Sequence, residues 1–406
     1  MRQIAVQYLE NVPGVTEISP GQARAKLRAA FDLLPISHLL LGWNLPRPLV
    51  DACREEARLH DAQFFLWHPL LTGDSLFFPK PEWRTIGLQG EPVPGFRGMP
   101  EFTFVCPNKP PVREAVLDHF RQVMGDGEYD GVFLDRMRFP SPAADPSRWL
   151  ACFCDDCSRA AAEDGLDLEE VRGVILEVTS RPDQILSLLQ ILLGSGVPGK
   201  SDPHLSLLNQ FLDFRSRSIT RIVGEVAHLA QTEGLAVGLD CFAPALTRSV
   251  GQDLASLDAH GEWTKLMAYG HTLGPAGLPF ELLKLARWVT VQAGVGYQVV
   301  LAWLSQATGL PLPDSEHELR TTGIPAAGLA AEMKHGRARG VTKLWAGIEL
   351  VEIEGVTQLN DAQITADLLA IRSAGMDGLV LSWDLWQMPL EWLKLVNEVW
   401  CFHSMI

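Results

Sequence analysis

Four acidic side chains stand where short runs of apolar, β-branched and aromatic residues end. Asp135 closes Tyr129–Asp135, Asp240 closes Leu235–Asp240, Glu349 closes Lys343–Glu349, and Asp384 follows Asp377–Trp383. Tyr269 closes the run Trp263–Tyr269, with His271 two residues on. Cleavage of a glycosidic bond asks for two such carboxyls, one protonated to donate to the leaving oxygen and one ionised to attack the sugar or activate water. A single strand-end carboxylate is as readily a salt bridge or a helix cap; four together point to a site. A phenol at 269 and an imidazole at 271 could hydrogen-bond sugar hydroxyls or tune a neighbouring carboxyl. Lys265, in an otherwise apolar run, either points inward to pair with a carboxylate or snorkels outward. Of the 12 tryptophans, Trp43, Trp67, Trp345 and Trp383 fall at run ends, where flat ring faces would suit the apolar faces of sugars.

The second chemistry is that of thiolates. Cys152, Cys154 and Cys157 form C-x-C-x2-C, and Cys106 stands apart just past the apolar segment Phe102–Val105. Zinc takes four ligands in a tetrahedron, so three thiolates from one tight turn and a fourth from a separate segment make a complete set. With all four positions filled by sulfur, no place remains for water or substrate, and the expected Zn2+ is structural, pinning an insertion that lacks a core of its own. Cys53, Cys241 and Cys401 stand alone and read as small packing residues.

The elements that must position these groups follow a βα rhythm. Strands are expected near Ile4–Tyr8, His38–Trp43, Gln63–His68 and the five runs given above, separated by segments apolar at i, i+3, i+4 that often stop at glycine, as at Gly234, Gly340 and Gly375. Eight strands alternating with helices predict one α/β domain, a (β/α)8 TIM barrel over residues 1–406, rather than an open doubly wound sheet; no glycine-rich phosphate loop follows the first strand. Two stretches exceed a minimal barrel. Pro69–Asn108, with Phe77, Phe78, Trp83 and Phe96, is expected to fold over the mouth, and residues 141–203 form the zinc-binding and helical insertion after strand four. Between Phe280 and Thr322 the periodicity suggests a long helix.

One cysteine past the third strand, then C-x-C-x2-C after a fourth strand ending in a carboxylate, resembles the zinc site of the family 42 glycoside hydrolases, bacterial β-galactosidases on a (β/α)8 barrel. Asp130-Gly131-Val132-Phe133-Leu134-Asp135-Arg136-Met137-Arg138-Phe139-Pro140 is in turn similar to glycoside-hydrolase-like barrels of uncharacterised family. The resemblance implies a retaining glycosidase with Asp135 as acid/base and Glu349 as nucleophile, on strands four and seven. Asp240, Tyr269, His271, Trp43, Trp67, Trp345, Trp383 and Asp384 would then line the substrate. The chain departs where family 42 has Asn-Glu at the end of strand four, for here Leu134-Asp135 stands. Asp135 with Asp240 is the competing pair, and Arg136 or Arg138 beside Asp135 would favour the ionised role for it. The alternative function is a catalytically silent barrel that binds carbohydrate.

With 34 Lys+Arg against 49 Asp+Glu, a net charge of −15 disfavours nucleic acid and anionic membrane as partners and leaves a carbohydrate as the expected one. Assembly of identical copies is compatible with this reading and not specified by it. No 18-residue uncharged apolar stretch occurs, and Met1–Glu10 lacks the pattern of a signal peptide, so a cytoplasmic location is the expectation.

Overall fold

The computed structural model describes residues 3–10, 17–73, 77, 79–125, 128–194 and 203–402; Phe78, expected in the loop over the mouth, lies outside them. Eight parallel strands, β1 (Gln3–Tyr8), β2 (His38–Leu41), β3 (Gln63–Pro69), β4 (Gly131–Asp135), β5 (Ala236–Cys241), β6 (Trp263–Met267), β7 (Leu344–Glu349) and β8 (Gly378–Ser382), close into a barrel in sequence order. Closure comes where β1 pairs with β8, Gln3 opposite Gly378 through Val6 opposite Leu381. The strands are buried almost throughout, as befits a parallel barrel covered by helices.

The interior is filled by matching large side chains to strand glycines. A Cβ at Gly131 would come within 2.5 Å of Phe65, one at Gly238 within 2.4 Å of Trp263, and one at Gly378 within 2.4 Å of Trp345. These rings pack together, Trp263 stacked on Trp345 with centroids 4.5 Å apart and on Phe133 at 5.2 Å. His38 closes on Trp345 edge-on at 5.0 Å, at the end of the barrel where the strands begin. The same device recurs one step up: a Cβ at Gly347 would fall 2.2 Å from Lys265 Cε, so this glycine lets a lysine lie inside the barrel. Gly238→Ala is therefore expected to cost about 1–3 kcal/mol or more through overpacking. Chemical denaturation would measure it, and the added substitution Trp263→Leu should recover some of the loss.

Helices occupy the segments between the strands, among them Pro20–Leu33, Arg47–Leu59, Pro110–Gly125, Ala326–Ala338 and Asp361–Ser373. One expectation changes. The long helix between Phe280 and Thr322 is instead Leu278–Ala293 and Tyr297–Thr308 followed by the short Glu316–Thr321, because Gly294 takes a left-handed conformation (φ 63°) that ends the first. Between β5 and β6 stands the short helix Leu254–Asp258, which Asp253 caps by accepting from Ser256 N.

The stretch after β4 carries helices Asp155–Glu163, Leu168–Ser180 and Ile185–Leu193 before the 30-residue helix Pro203–Thr232. It is tied to the loop after β3, as Phe153 N donates to Ile86 O (2.9 Å) and Leu88 N to Arg148 O (3.0 Å). Arg215, wholly buried, donates to Ser249 O at 2.9 Å and through Nε to Ala151 O, pinning the insertion to the long helix and the β5 loop.

Candidate active site and cysteine cluster

Strand geometry gathers the acidic residues at one mouth, where the strands end. The deepest polar layer is built on Lys265, fully buried, whose Nζ donates to Asp240 Oδ2 (2.9 Å), Gln7 Oε1 (3.1 Å) and the Tyr269 hydroxyl oxygen (2.7 Å). The lysine thus points inward. Gln7 Oε1 also accepts from Ser382 Oγ, linking β1, β6 and β8. Burial pushes the Asp240 carboxyl above the usual range, the Lys265 ammonium pulls it back, and nearby Asp135 adds to the rise. Asp240 Oδ1 is buried and takes no hydrogen bond from the described residues, which leaves an acceptor for a hydroxyl.

Above this layer Asp135 accepts two N–H bonds, from Trp67 Nε1 to Oδ2 (3.0 Å) and from Arg136 N to Oδ1 (2.5 Å). Arg136 takes a left-handed backbone (φ 52°), uncommon for a residue with a side chain. Its guanidinium reaches Glu10 Oε1 (3.3 Å) and Glu101 O (2.7 Å). Burial raises Glu10 to about 7 against the pull of Arg136.

Glu349 lies across the mouth at the end of β7, 4% exposed, with Oε1 accepting from His271 N at 2.5 Å. Burial lifts its carboxyl to about 7, opposed by the positive charge of His271. That imidazole is itself pulled down by burial and more than restored by Asp367, whose Oδ2 lies 2.8 Å from Nε2, so its net shift is upward. Asp384 serves differently. Its Oδ1 accepts from Leu9 N (2.8 Å) and Trp386 N (2.9 Å), tying the loop after β1 to the one after β8, and burial raises it to about 6 against these donors.

The tryptophans divide. Trp345 belongs to the opposite end of the barrel, stacked in the aromatic floor, because its inward place on β7 comes near the start of the strand. Trp43 and Trp67 are at the mouth but only 3% exposed each: they meet edge to face at 5.2 Å, and the Arg136 guanidinium covers Trp43 at 5.2 Å. Trp67 positions Asp135 and offers no open face. Trp383 remains half-buried, edge-on to Tyr269 at 6.1 Å. The expected row of ring platforms is thus reduced to Trp383. Sequence reasoning misses Gln7 and Glu10, although a glutamine inside an apolar run and a carboxylate just past the first strand obey the same strand-end rule that singles out the others.

At the rim, the Sγ atoms of Cys106, Cys152, Cys154 and Cys157 all lie within 4.8 Å of one another and all four residues are buried. A tetrahedral site with metal–sulfur bonds of about 2.3 Å has sulfurs about 3.8 Å apart; here Cys106 and Cys157 are 3.3 Å apart and Cys106 and Cys154 3.7 Å. Asn108 Nδ2 donates to Cys157 Sγ and Ile86 N to Cys152 Sγ, each at 3.3 Å, the outer bonds that orient thiolate ligands. The four cysteines can hold a metal ion. Lys109 and Arg215 face them and would offset the negative charge of four thiolates.

No protein-family model matches the chain, and no curated protein matches it in sequence. Among solved structures the chain is similar to the glycoside hydrolase domain of PgaB (BpsB) from Bordetella bronchiseptica, with 11% identity over 100% of both chains and a TM-score of 0.54. It is also similar to alpha-L-fucosidase isoenzyme 2 from Paenibacillus thiaminolyticus, with 13% identity over 99% of this chain and 51% of that one, and a TM-score of 0.51. At such identities the likeness establishes the (β/α)8 fold. The resemblance to family 42 rests on the cysteine spacing after a fourth strand that ends in a carboxylate.

Proposed function

We propose that the protein is a retaining glycoside hydrolase in which Glu349 donates the proton and Asp135 is the nucleophile. The observation that carries this is the difference between the two carboxyls: Glu349 is buried and lifted to about 7, whereas both oxygens of Asp135 are held by N–H donors. A buried carboxyl lifted in this way suits the general acid, and one fixed by N–H donors on both oxygens is oriented for attack. The roles are exchanged relative to those the family 42 resemblance implies. Asp240, with one oxygen committed to Lys265, is placed as a substrate-binding acceptor. Both similar structures are named as sugar-cleaving proteins, which agrees with this reading.

In the reaction, Glu349 gives its proton to the glycosidic oxygen as the C1–O bond breaks, and an Asp135 oxygen bonds to C1. Water then attacks C1, giving its proton to the Glu349 carboxylate, and Asp135 leaves. Tyr269 and Trp383 line the path of the sugar, and Trp67 keeps Asp135 in place. A panel of aryl glycosides and oligosaccharides, with proton NMR of the first product anomer, tests the reading: turnover with retained configuration is expected. The catalytically silent barrel has one observation in its favour, the Arg136 guanidinium lying over Trp43. Sugar binding without turnover, unaffected by Asp135→Asn, would establish that alternative.

The cysteine cluster is proposed to hold one structural Zn2+. Elemental analysis of protein purified without chelator should give about one zinc per chain. Cys157→Ser should lose the metal and lower the melting temperature, with activity lost only in step with unfolding. A metal content near zero would sink the assignment.

A further inference from the structure

Beside the mouth, a cleft of about 200 Å³ is lined by Phe96, Phe102, Phe104 and Phe280 together with Arg97, Arg138, Lys284 and Glu281. Three cations and one carboxylate converge there on a chain whose net charge is −15. The carboxylate is already engaged: Glu281, 3% exposed, accepts from Ser141 Oγ (2.7 Å) and Ala276 N (3.2 Å). Arg138 is buried between the rings of Phe104 (4.5 Å) and Phe242 (4.2 Å), donates to Phe139 O at 3.2 Å, and stands three residues beyond Asp135. Lys284 feels the charge of Glu281 and the repulsion of Arg97, but neither cation forms an ion pair among the described residues. The Lys284 ammonium lies 4.0 Å from the centre of Phe280 and Arg97 lies over Phe96 at 5.1 Å, and neither has a carboxylate of the described residues within 4.0 Å. Phe96 and Phe280 meet edge to face at 5.5 Å, so the two cations sit on one aromatic corner.

A ligand that satisfies this wall carries a negative charge for Lys284 and Arg97 and presents an apolar face to the phenyl rings. A sugar ring bearing a carboxylate does both. The cleft borders the loop that follows Asp135, since Phe102 in its wall lies under the Arg136 guanidinium (4.8 Å). Resting on the hydrolase reading above, we infer that this cleft is a subsite for a uronic acid residue, and that the substrate is an acidic oligosaccharide.

Calorimetric titration of the whole protein at low ionic strength tests this with three probes: trigalacturonate, the neutral trisaccharide of galactose, and a sulfated form of that trisaccharide. Trigalacturonate is expected to bind at least about tenfold more tightly than the neutral sugar, the scale of one charge-assisted contact, with a gap that closes as salt rises. Lys284→Met and Arg97→Gln should each remove most of that gap while leaving the weak neutral binding in place. Equal binding of acidic and neutral sugars, an unchanged gap in both variants, or tighter binding of the sulfated probe would overturn the assignment. The outcome is separable from the catalytic proposal. Tight uronate binding without turnover of any sugar would refute the hydrolase and keep the subsite, whereas cleavage of neutral sugars without uronate preference would do the reverse.

Discussion

Glu349→Gln is expected to lower turnover by about 10²–10⁴-fold, the usual contribution of a positioned general acid. The loss should depend on the leaving group. Dinitrophenyl glycosides, which depart without a proton, should retain most of their glycosylation rate, and alkyl glycosides almost none. The pH dependence has a definite sign. Glu349 must be protonated to donate, and with its carboxyl raised to about 7 by burial the activity should hold at mildly acid pH and fall as pH rises through about 7. Glutamine at 349 removes that alkaline limb. Because Asp367 and His271 set the electrostatics around Glu349, Asp367→Asn should move the limb without abolishing turnover. Full turnover in Glu349→Gln on an alkyl glycoside would refute the donor role, and attention would pass to the buried carboxyl of Asp240.

The second large effect is on folding. Lys265→Met strips the only ammonium from the layer that holds Asp240, Gln7 and Tyr269. An acid that is 2% exposed is then left without its partner, a change that costs about 3–5 kcal/mol. The sign with pH follows from the same burial. Asp240 has its folded-state carboxyl raised above the unfolded value, so any stability it contributes is complete in acid and lost as pH rises. Without Lys265 that loss is greater, and the difference in melting temperature between variant and parent should be smallest near pH 4 and widen toward neutrality. Pairing Lys265→Met with Asp240→Leu should restore much of the loss. A variant as stable as the parent at all pH values would show that the contact contributes nothing.

Much of the barrel can be read in the chain because its strands announce themselves twice, by β-branched and aromatic residues within and by a polar group at the end. Asp135, Asp240 and Glu349 are legible through that rule, and the four cysteines through their spacing. What the rule does not supply is depth along the strand. Trp345 and Glu349 sit on the same strand four residues apart, yet one lies in the floor and the other at the mouth. Exposure is equally hidden, for nothing near Trp43 in sequence says that Arg136 will cover it. The roles of Asp135 and Glu349 depend on partners from other strands and loops, Trp67, His271 and Asp367, which only the closed barrel brings near. Gly131, Gly238 and Gly378 look like weak points in their strands and prove to be the spaces into which Phe65, Trp263 and Trp345 fit.

That floor has an electrostatic consequence. The rings of Phe65, Trp263 and Trp345 back the Lys265 layer with apolar, close-packed matter that excludes water, so water and mobile ions approach the charged groups from the mouth. Screening is therefore one-sided. Added salt should weaken what a ligand feels on approach, at Arg97 and Lys284, while the Lys265–Asp240 pair beneath keeps nearly its full field. Attraction and internal order would thus respond to ionic strength independently, and a salt titration that slows capture should leave the melting temperature contribution of the buried pair unchanged.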